Sequence, residues 1–303
     1  MKKILIIASF LISSLFASNQ ELTVTILPQK YFVEKIVKDK FTINVMVPPG
    51  SSPHNFEPKP SAMKALFNSK LYFLIDDPSE KAWIEKFKQN AKNTIFVDST
   101  TGITKIAMKE HKHEEEPKVN KKDKHAHHDH KIEDKKDEHN HDGFDPHVWL
   151  DPILVKIQAK NIYEAVVKVD EANSDFYKVN YEAFIKELDE LDSKIATILA
   201  PHKGKAFMVF HPSWGYFAQR YNLEQIAIEI QGKEPKPNEL IELIGEAKKH
   251  DIKVLFVSNQ FSQTSAKTIS KNLNANVVTL DPLSQDFTNE ILKTANEIAR
   301  SYQ

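Results

Sequence analysis

Thirteen histidines and no cysteine set the chemistry open to this chain. Without thiolates there is no disulfide, no cysteine nucleophile and no cysteine-ligated metal, so strong metal ligation falls to imidazole and carboxylate. Eight of the thirteen histidines (His111, His113, His125, His127, His128, His130, His139 and His141) crowd between residues 109 and 142, where Val119 and Ile132 are the only large apolar residues. Such a segment buries too little surface to offset its chain entropy, and a disordered loop is expected. The plainest reading is a solvated loop of biased composition. Neutral imidazoles at this density also suit weak, multi-site capture of zinc, copper or nickel, and that reading is favoured. A loop of free spacing fixes no geometry, so selectivity must lie elsewhere.

The remaining histidines show where. His54 lies in the proline-rich stretch Pro-Pro-Gly-Ser-Ser-Pro-His-Asn-Phe-Glu-Pro-Lys-Pro, and His147 lies in Asp-Pro-His-Val-Trp-Leu-Asp-Pro, just past the histidine-rich segment. His211 follows the strand-like run Ala206 to Phe210, and Asp281 follows Asn276 to Leu280. Three neutral imidazoles and one carboxylate suit a tetrahedral zinc ion, with a net charge of about +1. Each residue alone has a duller role, as a turn cap, a buried structural histidine or a helix start; their joint placement is what points to a metal. His202 and His250, next to helix ends, need none.

These residues have to be held by a scaffold, and hydrophobic periodicity supplies one. Short β-branched or aromatic runs at Leu22 to Ile26, Phe41 to Val47, Leu71 to Ile75 and Thr94 to Val97 alternate with helical stretches at Pro28 to Lys38, Pro60 to Ser69 and Pro78 to Asn90. Each of these helices opens on proline, which suits a first turn. The scheme recurs with strands near Ala206 to Phe210, Gln225 to Ile230, Val254 to Val257 and Asn276 to Leu280, and helices near Ser213 to Tyr221, Pro237 to His250, Ser262 to Leu273 and Gln285 to Ser301. Alternation of this kind predicts an α/β fold of two similar lobes, each a mostly parallel four-stranded sheet flanked by helices. Between them, Tyr177, Tyr181, Phe184, Leu188, Leu191, Ile195 and Ile198 recur in steps of four and three, so residues 173–199 read as one long rigid helix. Nothing else repeats by sevens, which favours packing against the chain's own lobes over a coiled coil.

The expected organisation is a signal peptide at 1–17, an N-terminal lobe at 18–172 carrying the loop 109–142, the linking helix 173–199 and a C-terminal lobe at 200–303. Lys2 and Lys3, the apolar run Ile4 to Phe16 and Ala17 before Ser18 form the signal pattern. The run is short for a membrane anchor. An exported, periplasmic protein follows, and its formal charge of −1 argues against nucleic acid or an anionic membrane as its main partner. In open parallel sheets ligands bind beyond the carboxyl ends of strands, where at least three of His54, His147, His211 and Asp281 fall; with two of the four from each half, a candidate site is expected in the cleft between lobes. A zinc hydrolase would need an open coordination position and a general base; there is no His-Glu-x-x-His, and catalysis is not expected. A surface adhesin or histidine-loop metal reservoir is the reading from another class. It predicts many weak sites and no tight one.

Gly-Ser-Ser-Pro-His-Asn-Phe-Glu-Pro-Lys-Pro-Ser, Asp-Pro-His-Val-Trp-Leu-Asp-Pro, Phe-His-Pro-Ser-Trp-Gly-Tyr-Phe-Ala-Gln-Arg-Tyr and Leu-Asp-Pro-Leu together resemble the signature segments of the cluster A-I metal-binding solute receptors of ABC importers, in particular the periplasmic zinc-binding ones. The likeness spans essentially the whole chain after the signal. It implies a receptor of two lobes and a rigid linking helix that binds Zn2+ through His54, His147, His211 and Asp281 and delivers it to a zinc permease in the inner membrane; a monomer is expected of such a diffusing carrier. Manganese members of the family usually have glutamate where His211 stands, so the histidine leans toward zinc; a manganese or mixed-metal receptor is the alternative within the family. The disulfide of some zinc members has no counterpart here.

Overall fold

The computed structural model describes residues 20–108, 143–230, 233–261 and 263–303. The expected signal peptide, 1–17, and the histidine-rich loop, 109–142, lie outside the described residues. Two four-stranded, wholly parallel sheets form the frame. The first has the order β2-β1-β3-β4, from β1 (Gln20–Val24), β2 (Phe41–Val45), β3 (Ser69–Leu74) and β4 (Ile95–Asp98). The second has the order β6-β5-β7-β8, from β5 (Ala206–Val209), β6 (Glu224–Ala227), β7 (Val254–Val257) and β8 (Asn276–Thr279). Both therefore wind the same way, and in both the carboxyl ends of the strands face the cleft that the sequence pattern anticipates.

The helices are α1 (Leu27–Val37), α2 (Pro60–Asn68), α3 (Pro78–Asn90), α4 (Pro152–Val169), α5 (Ser174–Leu199), α6 (Gly215–Arg220), α7 (Pro237–Lys249), α8 (Gln263–Leu273) and α9 (Phe287–Arg300). Expected and observed bounds differ by a residue or two, the ordinary ambiguity of fraying ends. One helix goes unforeseen in the sequence reading. α4 is capped by Asp151, whose carboxylate accepts from the backbone N–H groups of Ile153 and Leu154, and it buries Val155, Ala159, Ile162 and Val166 at helical spacing.

α5 runs about 39 Å at 1.5 Å per residue. It buries Tyr177, Phe184, Leu188, Leu191, Ile195 and Leu199 against α1 and α4 of the first half and α9 of the second. Phe32 of α1, Phe184 of α5 and Phe287 of α9 meet in one aromatic junction, with Phe32 and Phe287 centroids 4.9 Å apart at 88°. The main core is thus continuous across both halves, while a smaller cluster covers the outer face of each sheet. Period-two alternation divides the faces: Leu71 and Phe73 point into the shared core, Tyr72 and Leu74 outward. Among the described residues no helix is long and apolar enough to cross a membrane.

Candidate metal centre

Three of the four sequence-predicted residues converge. His54 sits in a short 3-10 turn, Pro53–Asn55, fixed when the Ser52 hydroxyl accepts from the His54 backbone N–H at 3.3 Å. His147 follows the loop stem, where Ala107 and Phe144 form an antiparallel bridge. His211 lies two residues past β5. Ring centroids stand 5.1 Å apart for His54 and His147, 5.1 Å for His54 and His211, and 5.4 Å for His147 and His211, nearly an equilateral triangle. One nitrogen from each lies within 4.8 Å of the others.

Each imidazole is oriented by a carboxylate. His54 Nδ1 lies 2.7 Å from Asp77 Oδ2, His147 Nδ1 2.7 Å from Asp145 Oδ1, and His211 Nδ1 2.6 Å from Glu229 Oε2. An ionised carboxylate only accepts, so with the carboxylates in that form these contacts place the proton on Nδ1 and turn the Nε2 lone pair toward the centre. His54 Nε2 and His147 Nε2 face each other at 3.2 Å, and His211 Nε2 is buried without a hydrogen-bond partner. Two donors each 2.0 to 2.1 Å from a tetrahedral zinc stand about 3.3 to 3.4 Å apart, so the His54 and His147 pair already has the edge length of such a site. Asp77, Asp145 and Glu229 are absent from the sequence-based ligand set. Their signal is positional: Asp77 stands three residues past β3, Glu229 two past β6, and Asp145 two before His147.

The electrostatics differ from one imidazole to the next. Burial drives the His211 imidazole well below its usual pKa, and the neighbouring His147 and His54 add to the effect, so its lone pair stays available at neutral pH. Burial lifts its partner Glu229 to about 7. Burial works against Asp77 as well, but hydrogen bonding and charge from His54, with help from Ser79, outweigh it and bring that carboxyl down to about 2. Behind Asp77, burial raises Glu80 to about 8, although Thr25 Oγ and the backbone N–H groups of Ile75 and Asp77 donate to it.

Asp281 lies apart from this group. Its Oδ1 accepts from Gln260 Nε2 at 2.9 Å and from the Leu283 N–H at 3.0 Å, and it lines a cavity of about 40 Å³ beside the histidines. The space between the histidines measures about 10 Å³, room for one water-sized particle and too small for an organic substrate. Glu57 is exposed and also lies outside the group.

The C-terminal half helps to hold His147. The Tyr216 hydroxyl donates to the Asp145 carbonyl at 2.8 Å and accepts from the Ile106 N–H at 3.1 Å, clasping both strands of the loop stem. Next to it, a Cβ on Gly215 would stand only 2.5 Å from Asp145 Oδ2, so that position tolerates no side chain without moving the carboxylate. Trp149 Nε1 donates to the Pro282 carbonyl at 2.8 Å and ties the His147 segment to the Asp281 turn.

Comparison with known proteins bears on what such a centre serves. The family model described as "ZnuA: Zinc-uptake complex component A periplasmic" matches residues 22–300. The high-affinity zinc uptake system protein ZnuA of Bacillus subtilis is 30% identical over 263 residues, 86% of this chain and 77% of that one. Zinc-binding protein AdcA of Streptococcus pyogenes is 29% identical over 315 residues; the match takes in 98% of this chain but only 59% of AdcA. The crystal structure of a zinc-bound ZnuA lacking its residues 138–173 superposes with a TM-score of 0.79 at 37% identity, over 93% of this chain and 98% of that one.

Proposed function

This chain belongs to the family of the periplasmic component A of zinc-uptake complexes, and from that premise we propose that it is the receptor that captures Zn2+ in the inter-lobe cleft and hands it to an ABC permease of the inner membrane. Members of this family are binding components of uptake complexes, not enzymes. The observation that carries the reading is the convergence of three imidazole Nε2 atoms, each backed by a carboxylate on Nδ1, around a space of about 10 Å³. Zinc is the cargo. His54, His147 and His211 hold it, and Asp281 completes four-coordination from the adjoining cavity.

The remaining steps are part of the same proposal. The histidine-rich loop 109–142 collects zinc weakly and raises its local concentration beside the cleft. The protein is exported by a cleaved signal, works as a monomer in the periplasm and has no nucleic-acid partner. With α5 packed on both halves, binding orders the turns around His54 and His211 more than it moves the lobes. A manganese receptor is the second reading. The buried, neutral His211 disfavours it, because imidazole suits zinc better than the harder ion.

The test is a competition titration of zinc against manganese on protein lacking residues 109–142, repeated with His211→Ala. One tight zinc equivalent, poorly displaced by manganese and lost in the variant, is expected. If the deletion abolishes tight binding and His211→Ala changes nothing, the loop and not the cleft is the metal site, and the chain is a metal reservoir.

A further inference from the structure

Around the small space in the cleft, the histidines share one arrangement: one end of each side chain is tied to a carboxylate and the other is left over. In His54, His147 and His211 the tied end is Nδ1, on Asp77, Asp145 and Glu229, and the end left over is Nε2. Gln260, three residues past β7, lines the same space and follows the same rule. Asp281 Oδ1 already accepts from the Leu283 N–H at 3.0 Å, so the amide atom that meets it at 2.9 Å is the donor Nε2, and Oε1 is the end left over. Gln260 Oε1 is buried without a hydrogen-bond partner, as is His211 Nε2 on the same space. A buried amide oxygen in that state is costly and calls for a physical reason. Asp281 itself lines the adjoining space of about 40 Å³ and not the one among the histidines.

We propose that Gln260 Oε1 is itself a ligand of the cation, an oxygen donor beside the three imidazoles. The inference rests on the reading that His54, His147 and His211 hold the metal. An amide carbonyl oxygen carries lone pairs and ligates divalent cations. Donation from Nε2 to a carboxylate polarises the amide toward Oε1 and fixes its plane, the same service that Asp77, Asp145 and Glu229 perform for the imidazoles. Both hydrogen bonds to Asp281 fall on Oδ1, so that oxygen can keep the amide in place while Oδ2 reaches the cation. Three imidazole nitrogens, Gln260 Oε1 and Asp281 Oδ2 then form a five-coordinate site, which zinc can adopt. Because the amide is neutral, the added donor leaves the charge of the site unchanged.

The first test is a crystal structure of the zinc-loaded full chain, which needs no variant. Gln260 Oε1 is expected at about 2.0 to 2.2 Å from the ion. An ion on the three imidazoles with Oε1 outside that distance, or with a water between them, overturns the role of Gln260 alone. An ion bound away from the histidines overturns the three-imidazole reading, and this inference with it. The second test is chelator competition for zinc on Gln260→Leu, Asp281→Ala and the double variant. Leucine occupies similar space and offers no donor. Gln260→Leu is expected to weaken zinc by about tenfold, the lower end of the loss when a metal site is stripped of a supporting group, and to do so in the Asp281→Ala background as well. If the loss appears only while Asp281 is present, Gln260 acts by placing that carboxylate and is not a ligand. No loss in either background overturns the proposal too.

Discussion

The two halves of this molecule share one sheet topology yet bring histidines of different character to the cleft. His54, from the first, keeps 28% of its side chain exposed and leans on Asp77, a carboxyl held down at about 2. His211, from the second, keeps 10%, resists protonation through burial, and leans on Glu229, which burial lifts to about 7. The same architecture therefore supplies one accessible imidazole backed by a firm charge and one enclosed imidazole kept neutral by its surroundings. For the receptor proposed above, which must accept an ion from water and then hold it, the difference would divide the work: the open imidazole would meet the ion, and the enclosed one would retain it.

Removing the two histidines one at a time should expose that division most strongly. In His54→Ala, water can enter the opened coordination position and supply an oxygen donor. In His211→Ala the position is enclosed, and the loss should be the larger, exceeding the ~10- to 100-fold typical of losing an outer partner of a metal ligand. Zinc dissociation rates by stopped-flow chelator capture would measure both. If His54→Ala releases zinc as fast as His211→Ala, exposure has no bearing on retention.

A second contrast lies behind the histidines. The first half places Glu80, almost fully buried, next to Asp77. Its folded-state pKa of about 8 lies above the unfolded value near 4.5, so between these pH values the folded state holds a proton that the unfolded state has released. Its contribution to stability is complete below about pH 4.5 and disappears as the pH rises through about 8, a swing of a few kcal/mol. Denaturant unfolding of the metal-free protein at pH 5 and pH 8 should show this fall, and Glu80→Gln, which cannot ionise, should remove most of it. Equal pH slopes for the two proteins would mean that the carboxyl is ionised in the fold.

The outer carboxylates come next in size. Glu229→Gln leaves the His211 tautomer unfixed and should weaken zinc by ~10- to 100-fold with little loss of stability. Asp77→Ala should do the same at His54 and also lower the melting temperature, because Asp77 caps α3 by accepting from the Ser79 N–H at 2.8 Å. Calorimetry with and without zinc separates the two effects. A melting temperature unchanged by Asp77→Ala would show that the cap is dispensable.

How much of this was legible in the sequence follows from how local each feature is. Strands and most helices declare themselves through period and proline, His54 and His211 through their places past strand ends, and His147 through the Asp-Pro-His-Val-Trp-Leu-Asp-Pro stretch just past the histidine-rich segment. α4 hides because Ile153, Leu154 and Val155 at its start and Val166, Val167 and Val169 at its end are residues that also build strands; the Asp151 and Pro152 cap was the discriminating signal. Glu229 stands in an Ile-Glu-Ile run that has no local mark of a metal site, and only the pairing of β5 with β6 brings it to His211. Asp281 shows the limit from the other side: position names it, but its carboxylate is held by the Leu283 N–H and by Gln260, 21 residues away in sequence.

The smallest effect concerns the joint between the halves. Glu187 of α5 accepts from the Tyr31 hydroxyl at 2.7 Å and the Thr288 hydroxyl at 2.9 Å, and pairs with Lys35 at 2.6 Å, so α1, α5 and α9 meet on one carboxylate. Burial opposes its ionisation, but these donors outweigh it and lower its pKa. The pair is partly solvated, and Glu187→Gln, which keeps an acceptor for both hydroxyls, should cost only about 1 kcal/mol. If the two halves act as one body through the Phe32, Phe184 and Phe287 junction, zinc affinity in this variant stays at the wild-type value. A zinc affinity that drops along with stability would mean that the charge pair, and not the aromatic packing, sets the spacing of His54 and His211.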